Sequence, residues 1–181
     1  MKETIKLILV LTIICAVSSA LLAAVYSKTK DPIAATLELR TAKAAAKVMP
    51  EGVTTPEKKE IDGITFFVAK KDNRFAGVAL EGCSKNGYGG NIVLMIGLSA
   101  DGKLVNYEKL LANETPGLGT KMDSDAFRKP LLGRAIKANW QVKKDGGEVD
   151  AITAATISSR AVMECFRDAF AKYEKALPGL K

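Results

Sequence analysis

Histidine is absent from this 181-residue sequence, and much chemistry leaves with it. No Ser-His-Asp or Cys-His triad, no His-ligated zinc and no axial histidine for haem can be assembled from the chain. Cysteine is scarce as well. Cys15, Cys83 and Cys165 fall short of the four thiolates of a conventional iron–sulfur cluster. Redox or group-transfer chemistry on this chain therefore needs an organic cofactor. Charge is missing from one long stretch: the twenty residues from Leu7 to Tyr26 contain no Asp, Glu, Lys or Arg. A helix of that length spans about 30 Å, the hydrocarbon thickness of a bilayer. The apolar region of a cleaved signal peptide runs only about 7–15 residues, and Ile14 is too bulky to precede a lipidated Cys15. Residues 1–26 are thus read as an uncleaved membrane anchor, with Tyr26 as an interfacial aromatic. Lys2, Lys6 and the amino terminus favour a cytoplasmic start, which puts residues 27–181 on the outer side of the cytoplasmic membrane. The net charge is +7, but no basic stripe interleaved with aromatics accompanies it. It reads as a solvated surface, and no nucleic-acid partner is expected.

The remainder predicts one α+β domain. Asp31-Pro32 is a helix-start signal, a side-chain acceptor followed by Pro at the first helical position. Ile33, Leu37, Ala44 and Val48 then recur at near-helical spacing, so residues 27–50 are expected to form a juxtamembrane helix. From residue 51 to 181 the period changes. Strands are predicted at Ile64–Ala69, Phe75–Leu80, Ile92–Leu98 and Leu104–Leu111, with turns at Asp72-Asn73 and Asp101-Gly102. A short helix is predicted at Asp123–Leu132 and a short strand at Trp140–Val142. The last element is an amphipathic helix from Ile157 to Leu177 that presents Val162, Phe166, Phe170 and Tyr173 to a mainly antiparallel sheet and ends at Pro178-Gly179.

Three loops can carry chemistry. Asn86-Gly-Tyr-Gly-Gly90 is either a flexible turn or a place where backbone approaches a ligand closely. In Asn113-Glu-Thr-Pro-Gly-Leu-Gly-Thr-Lys121, Gly117 and Gly119 imitate a dinucleotide fingerprint, but Met122 stands where its third glycine belongs, so that match fails. Leu118 at the tip of this loop either tucks into the core or meets a flat apolar ring. In Asp150-Ala-Ile-Thr-Ala-Ala-Thr-Ile-Ser-Ser-Arg160 the residue types fit two roles. Thr156 can cap the helix, or the helix start can hold a phosphate, with Ser158, Ser159 and Arg160 adding donors and charge. A hydrolase using Glu114, Asp123 and Asp125 as paired carboxylates is the weakest reading, because a charged helix face accounts for them.

Together the three segments resemble the FMN-binding domain found in the G-type subunit of the Rnf electron-transport complex and in the C-type subunit of the sodium-translocating NADH:quinone reductase. Residues 150–162 resemble that family's flavinylation motif, Glu114–Gly119 its second signature, and Gly87–Gly90 with the apolar strand after it a third. All three stand in family order behind one membrane helix. The compact length favours the Rnf protein over its reductase relative. The resemblance implies FMN bound covalently through a phosphoester on Thr156, installed by a flavin transferase that uses FAD. It implies a cofactor site of Thr153, Ala154, Ala155, Ser158, Ser159, Glu114, Thr115, Gly117, Leu118, Gly119 and Tyr88, with Thr115, Leu118 and Gly119 near the ring. It further implies an electron-relay role beside the membrane and iron–sulfur subunits of an ion-translocating ferredoxin:NAD oxidoreductase. Ala154 departs from the pattern, since glycine is usual there, and its methyl is expected to narrow the path for the phosphate. The alternatives are an FMN-bearing subunit of a related system, such as a sodium-translocating NADH:quinone reductase, and a cofactor-free, membrane-tethered binding module. A Cys83–Cys165 disulfide and a buried Cys165 thiol both remain open on the sequence.

Overall fold

The computed structural model describes residues 2–53 and 55–180. The chain divides into two compact units, residues 1–39 and residues 40–181.

The first unit belongs to helix α1, Lys2–Val48, which is long and apolar enough to cross a membrane once. Its large apolar side chains, Leu7, Leu11, Ile14 and Leu22 among them, are exposed. The hydroxyls that interrupt them turn back on the helix. Thr12 donates to the Ile8 carbonyl at 2.8 Å and Thr29 to the Val25 carbonyl at 2.9 Å. Neither hydroxyl is thereby left unsatisfied towards hydrocarbon. The sequence reading of a second helix starting at Asp31-Pro32 is corrected here, because α1 continues through Pro32. Pro removes one backbone donor. Helix propagation is cooperative, and the Ala-, Leu- and Lys-rich sequence on both sides carries it across.

The second unit is a three-layer sandwich. Five strands form one antiparallel sheet in sequential order: β1 Glu57–Ile61, β2 Ile64–Lys71, β3 Arg74–Gly87, β4 Gly90–Ser99 and β5 Leu104–Leu111. Alternation along β2 sends Phe66 and Val68 to one face and Phe67 and Ala69 to the other. The second face packs under Ala44, Ala45 and Val48 from the end of α1. The first packs under helix α3, Thr156–Leu180, through Val162, Phe166, Ala169, Phe170 and Tyr173. Burying a large apolar side chain among these contributes roughly 1.5–3 kcal/mol.

The four strands predicted between residues 64 and 111 form, β3 running on from the predicted Leu80 to Gly87, and β1 was not foreseen. Its residues are almost all charged, as suits an edge strand, so apolar alternation gives no signal. The two-residue turn Asp62-Gly63, with φ of 52° and 74°, sets its register against β2. The predicted helix at Asp123–Leu132 breaks into a 3-10 turn at Gly119–Asp123, helix α2 at Asp125–Arg128 and a second 3-10 turn at Lys129–Leu131. Pro130 cannot donate to a continuing helix. The predicted strand at Trp140–Val142 reduces to a single bridge between Val142 and Val149. Trp140 instead contributes its ring, 5.0 Å from the rings of both Phe166 and Phe170. Helix α3 runs past the expected stop to Leu180, which is buried. Lys59 caps its end by donating to the Gly179 carbonyl at 2.5 Å.

Cys83 and Cys165 are both free thiols. Cys165 is buried, its thiol pushed up to about 12 by desolvation, and it lies against the Ile92 carbonyl at 3.5 Å. Cys83 is exposed, and its amide donates to the Asp168 carboxylate at 2.9 Å.

Candidate functional site

At one edge of the second unit the fold brings together the β3–β4 turn, the loop after β5 and the start of α3. A buried carboxylate joins them. Glu114, 7% exposed, accepts the Gly89 amide at 3.2 Å on Oε1 and the Ser158 hydroxyl at 2.6 Å on Oε2. The loops close so tightly on it that side chains are excluded. A Cβ on Gly89 would stand 1.7 Å from the Asn113 carbonyl oxygen, and one on Gly119 would stand 2.4 Å from Glu114 Oε2. Glu114 therefore lies on no helix face and pairs with no second acid. Asp123 is paired with Lys109, and Asp125 with Lys129 at 3.0 Å. The carboxylate-pair reading and the charged-face account of Glu114 are both set aside.

Removing this carboxylate should be costly in a particular way. Glu114→Ala leaves a buried hydroxyl and a buried amide without their acceptor, and a loss of about 2–4 kcal/mol is expected. Glu114→Gln retains a carbonyl for the Gly89 amide and offers an NH2 that the Ser158 hydroxyl can accept, so it should lose less than half as much. Urea unfolding of the two variants in detergent checks the ranking.

The loop tip follows from its residues. The Leu118 amide donates to the Thr115 carbonyl at 3.1 Å, with Pro116 and Gly117 in the middle and Gly117 at φ 74°. This is a type II turn, which needs positive φ at its third residue. It holds Leu118 out of the core, 38% exposed. With Tyr88 at 70% and Ile157 at 48% exposed, Leu118 borders a cavity of about 430 Å³ whose floor is made by Glu114, Thr115, Gly119 and the segment Ala154–Ser158. That volume is in the range of small-molecule pockets.

The motif before α3 is built the same way. The Ala155 amide donates to the Ile152 carbonyl at 2.9 Å across Thr153 and Ala154, and Ala154 has φ 61°. Ala154 thus occupies the left-handed position of a second type II turn. The departure from glycine therefore carries a backbone cost, since a left-handed Ala costs about 1–2 kcal/mol. Ala154→Gly relieves that strain and loses part of the gain to unfolded-state entropy. We expect a net stabilisation of about 0.5–1 kcal/mol, seen as a higher urea midpoint with unchanged slope.

Ala155 accepts the first intrahelical bond, from the Ser159 amide at 3.0 Å, so Thr156 is the first helical residue and not the cap. Ser159 is fully buried. It accepts the Ile152 amide and donates to the Ala155 carbonyl, both at 2.9 Å, and so pins the turn from beneath. Thr153, Gly117 and Ser159 do not line the cavity, whereas the other predicted site residues do. Arg160, expected to add charge here, does not line the cavity and grips the Asp145 carboxylate with two bonds of 2.7 and 2.6 Å, which holds that carboxyl below its ordinary range. The cation that reaches Thr156 is Lys144, at 3.3 Å from Oγ1. Sequence reasoning missed it, because nothing in Lys143-Lys144 distinguishes the two before the turn is folded. Ile157 was missed too, as an apolar residue outside the helix stripe that marks the core.

These residues fit a flavin phosphate. The first amides of α3 have no acceptor within the helix and sit at its positive end. Beside them lies an apolar-edged cavity in which bare glycine at residue 119 keeps the floor clear. Comparison with known proteins agrees. Residues 87–171 match the FMN-binding domain family. The G-type subunit of the ion-translocating oxidoreductase complex of Aliivibrio fischeri is 30% identical over 180 residues, covering 89% of this chain and 86% of that one. The protein of the same name from Haemophilus influenzae is 31% identical over 169 residues, covering 84% and 80%. In fold, the chain is similar to the C-type subunit of the Na(+)-translocating NADH-quinone reductase from Parabacteroides distasonis, with a TM-score of 0.52 at 24% identity over 67% of this chain and 73% of that one. The same holds for NqrC of Shewanella oneidensis, with a TM-score of 0.52 at 19% identity over 76% and 72%.

Proposed function

The chain belongs to the family of G-type subunits of ion-translocating oxidoreductase complexes, and from that premise we propose that it is the electron-relay subunit of a ferredoxin:NAD oxidoreductase, carrying FMN covalently on Thr156. The observation that carries the proposal is the half-buried Thr156 hydroxyl at the start of α3, at the edge of an apolar-bordered cavity. FMN, when bound, supplies one- and two-electron transfer. This chain's residues do the rest. Thr156 Oγ1 is the attachment atom. The α3 amides face the phosphate charge. Thr115, Leu118 and Tyr88 border the space for the ring, and Glu114 fixes the loops that carry them.

Attachment needs a flavin transferase with FAD as donor. A bond forms from Thr156 Oγ1 to the flavin-side phosphorus, the phosphoanhydride bond of FAD breaks, AMP leaves, and the hydroxyl proton passes to solvent. The partners are the other membrane and iron–sulfur subunits of the complex. Exposed Tyr88, Leu118 and Ile157 at the rim leave the site open to a docking electron donor or acceptor.

The domain is further assigned to the outer face of the cytoplasmic membrane. A membrane-impermeant thiol reagent added to intact cells should then label Cys83, which is exposed, while Cys165 stays protected. Labelling of Cys83 only after permeabilisation would reverse the orientation. The cofactor itself is tested by producing the full chain with a flavin transferase and illuminating a denaturing gel with ultraviolet light. The band should fluoresce. A band without fluorescence would overturn covalent attachment, and a colourless native protein would favour a cofactor-free binding module.

A further inference from the structure

We infer that Lys144 is the counter-cation of the phosphate on Thr156, an inference that rests on the covalent reading above. Its Nζ donates to Thr156 Oγ1 at 3.3 Å, so the ammonium already touches the atom that phosphorus would join. The basic side chains that flank it on the turn and on α3 are committed elsewhere. Arg160 is held by Asp145, and Lys143 by Asp150 at 2.7 Å. Lys144 makes no salt bridge among the described residues.

The turn that carries Lys144, a 3-10 turn at Lys143–Asp145, is tied to α3 by Arg160 and closed on itself by its own backbone. Arg160, one turn into α3, clamps Asp145 with two hydrogen bonds, and the Asp145 amide donates to the Val142 carbonyl at 2.8 Å. Gly147 closes the turn so tightly that a Cβ there would stand 2.0 Å from the Gln141 carbonyl oxygen. Arg160 is therefore a positioning residue. It contributes no charge to the phosphate, and it sets the loop from which Lys144 reaches Thr156.

The charge balance calls for such a partner. A helix start offers the equivalent of about half a positive charge, whereas a phosphodiester carries a full negative one. One ammonium with a charge-assisted hydrogen bond neutralises the remainder.

The test follows flavin loading of the full-length chain in detergent by intact mass, with purified transferase and FAD. The chains compared are wild type, Lys144→Gln, Lys144→Arg and Lys143→Gln. Loading of Lys144→Gln should slow about fivefold, a figure already reduced for solvent exposure. Lys144→Arg should recover most of the rate, and Lys143→Gln should keep it. In the loaded proteins the phosphodiester 31P resonance should move in Lys144→Gln and stay in place in Lys143→Gln. If wild type loads fully while Lys144→Gln matches it in rate and 31P shift, Lys144 loses this role and the covalent flavin stands. Slower loading with an unmoved 31P resonance would assign Lys144 to contact with the transferase and also overturn the inference. A wild-type chain that gains no mass overturns the covalent reading, and this one with it.

Discussion

A Thr156→Ala chain produced beside a flavin transferase should emerge folded and without flavin. The loss is expected to be complete, because the attachment atom is gone and no neighbour replaces it. Thr153 is exposed and does not line the cavity, and the Ser158 and Ser159 hydroxyls are buried and engaged with Glu114 and the Ala155 carbonyl. The fold should tolerate the change. Thr156 does not cap α3, and its hydroxyl makes one exposed contact with Lys144, so a cost below about 1 kcal/mol is expected. Thr153→Ala is the matched control, which should load like wild type. In wild type the flavin should map to the tryptic peptide Asp145–Arg160. Flavin remaining on the Thr156→Ala chain, or mapping to a peptide containing Thr115, would move the site.

Gly82→Ala should be strongly destabilising. A Cβ at Gly82 would stand 2.1 Å from the Cys165 carbonyl oxygen in α3 and 2.8 Å from Ile96 Cδ1 in β4. The obstacle on one side is backbone, so no rotamer change relieves it, and α3 must lift from β3. That helix carries one whole face of the core and the Thr156 site at its first residue. We expect a loss of about 3 kcal/mol or more. A smaller effect is expected for Gly63→Ala, where nothing lies within 4 Å and the only penalty is a φ of 74°, worth about 1–2 kcal/mol. Urea midpoints at constant slope separate the two. If Gly82→Ala unfolds near the wild-type midpoint, the close packing of α3 on β3 described here is wrong.

What the sequence made legible was what burial periodicity writes into it. Val162, Phe166, Phe170 and Tyr173 announced α3 because a helix on a sheet must be apolar along one stripe. The strands from residue 64 onward announced themselves by apolar runs and turn residues. Strand β1 did not, because an edge strand is held by backbone bonds and a turn, and its side chains can nearly all be charged. The continuity of α1 across Pro32 was hidden for another reason: a local start signal at Asp31-Pro32 lost to helical sequence on both sides.

The site divides in the same way. Tyr88, Glu114, Thr115, Leu118 and Thr156 were identified through a resemblance of whole segments, and the fold brings them to one cavity. How they act together was not legible. That Glu114 is the buried link, that Ala154 must adopt a left-handed φ, and that Arg160 pairs with Asp145 while Lys144 reaches Thr156 all depend on three-dimensional closure. Residue types alone carry no record of which of several nearby cations wins a partner.

The most direct measurement is the intact mass of the full chain purified from its native membrane. The account predicts the mass of the complete polypeptide increased by one FMN less one water, with the added mass lost in Thr156→Ala. A native chain at the bare mass of its sequence would contradict it.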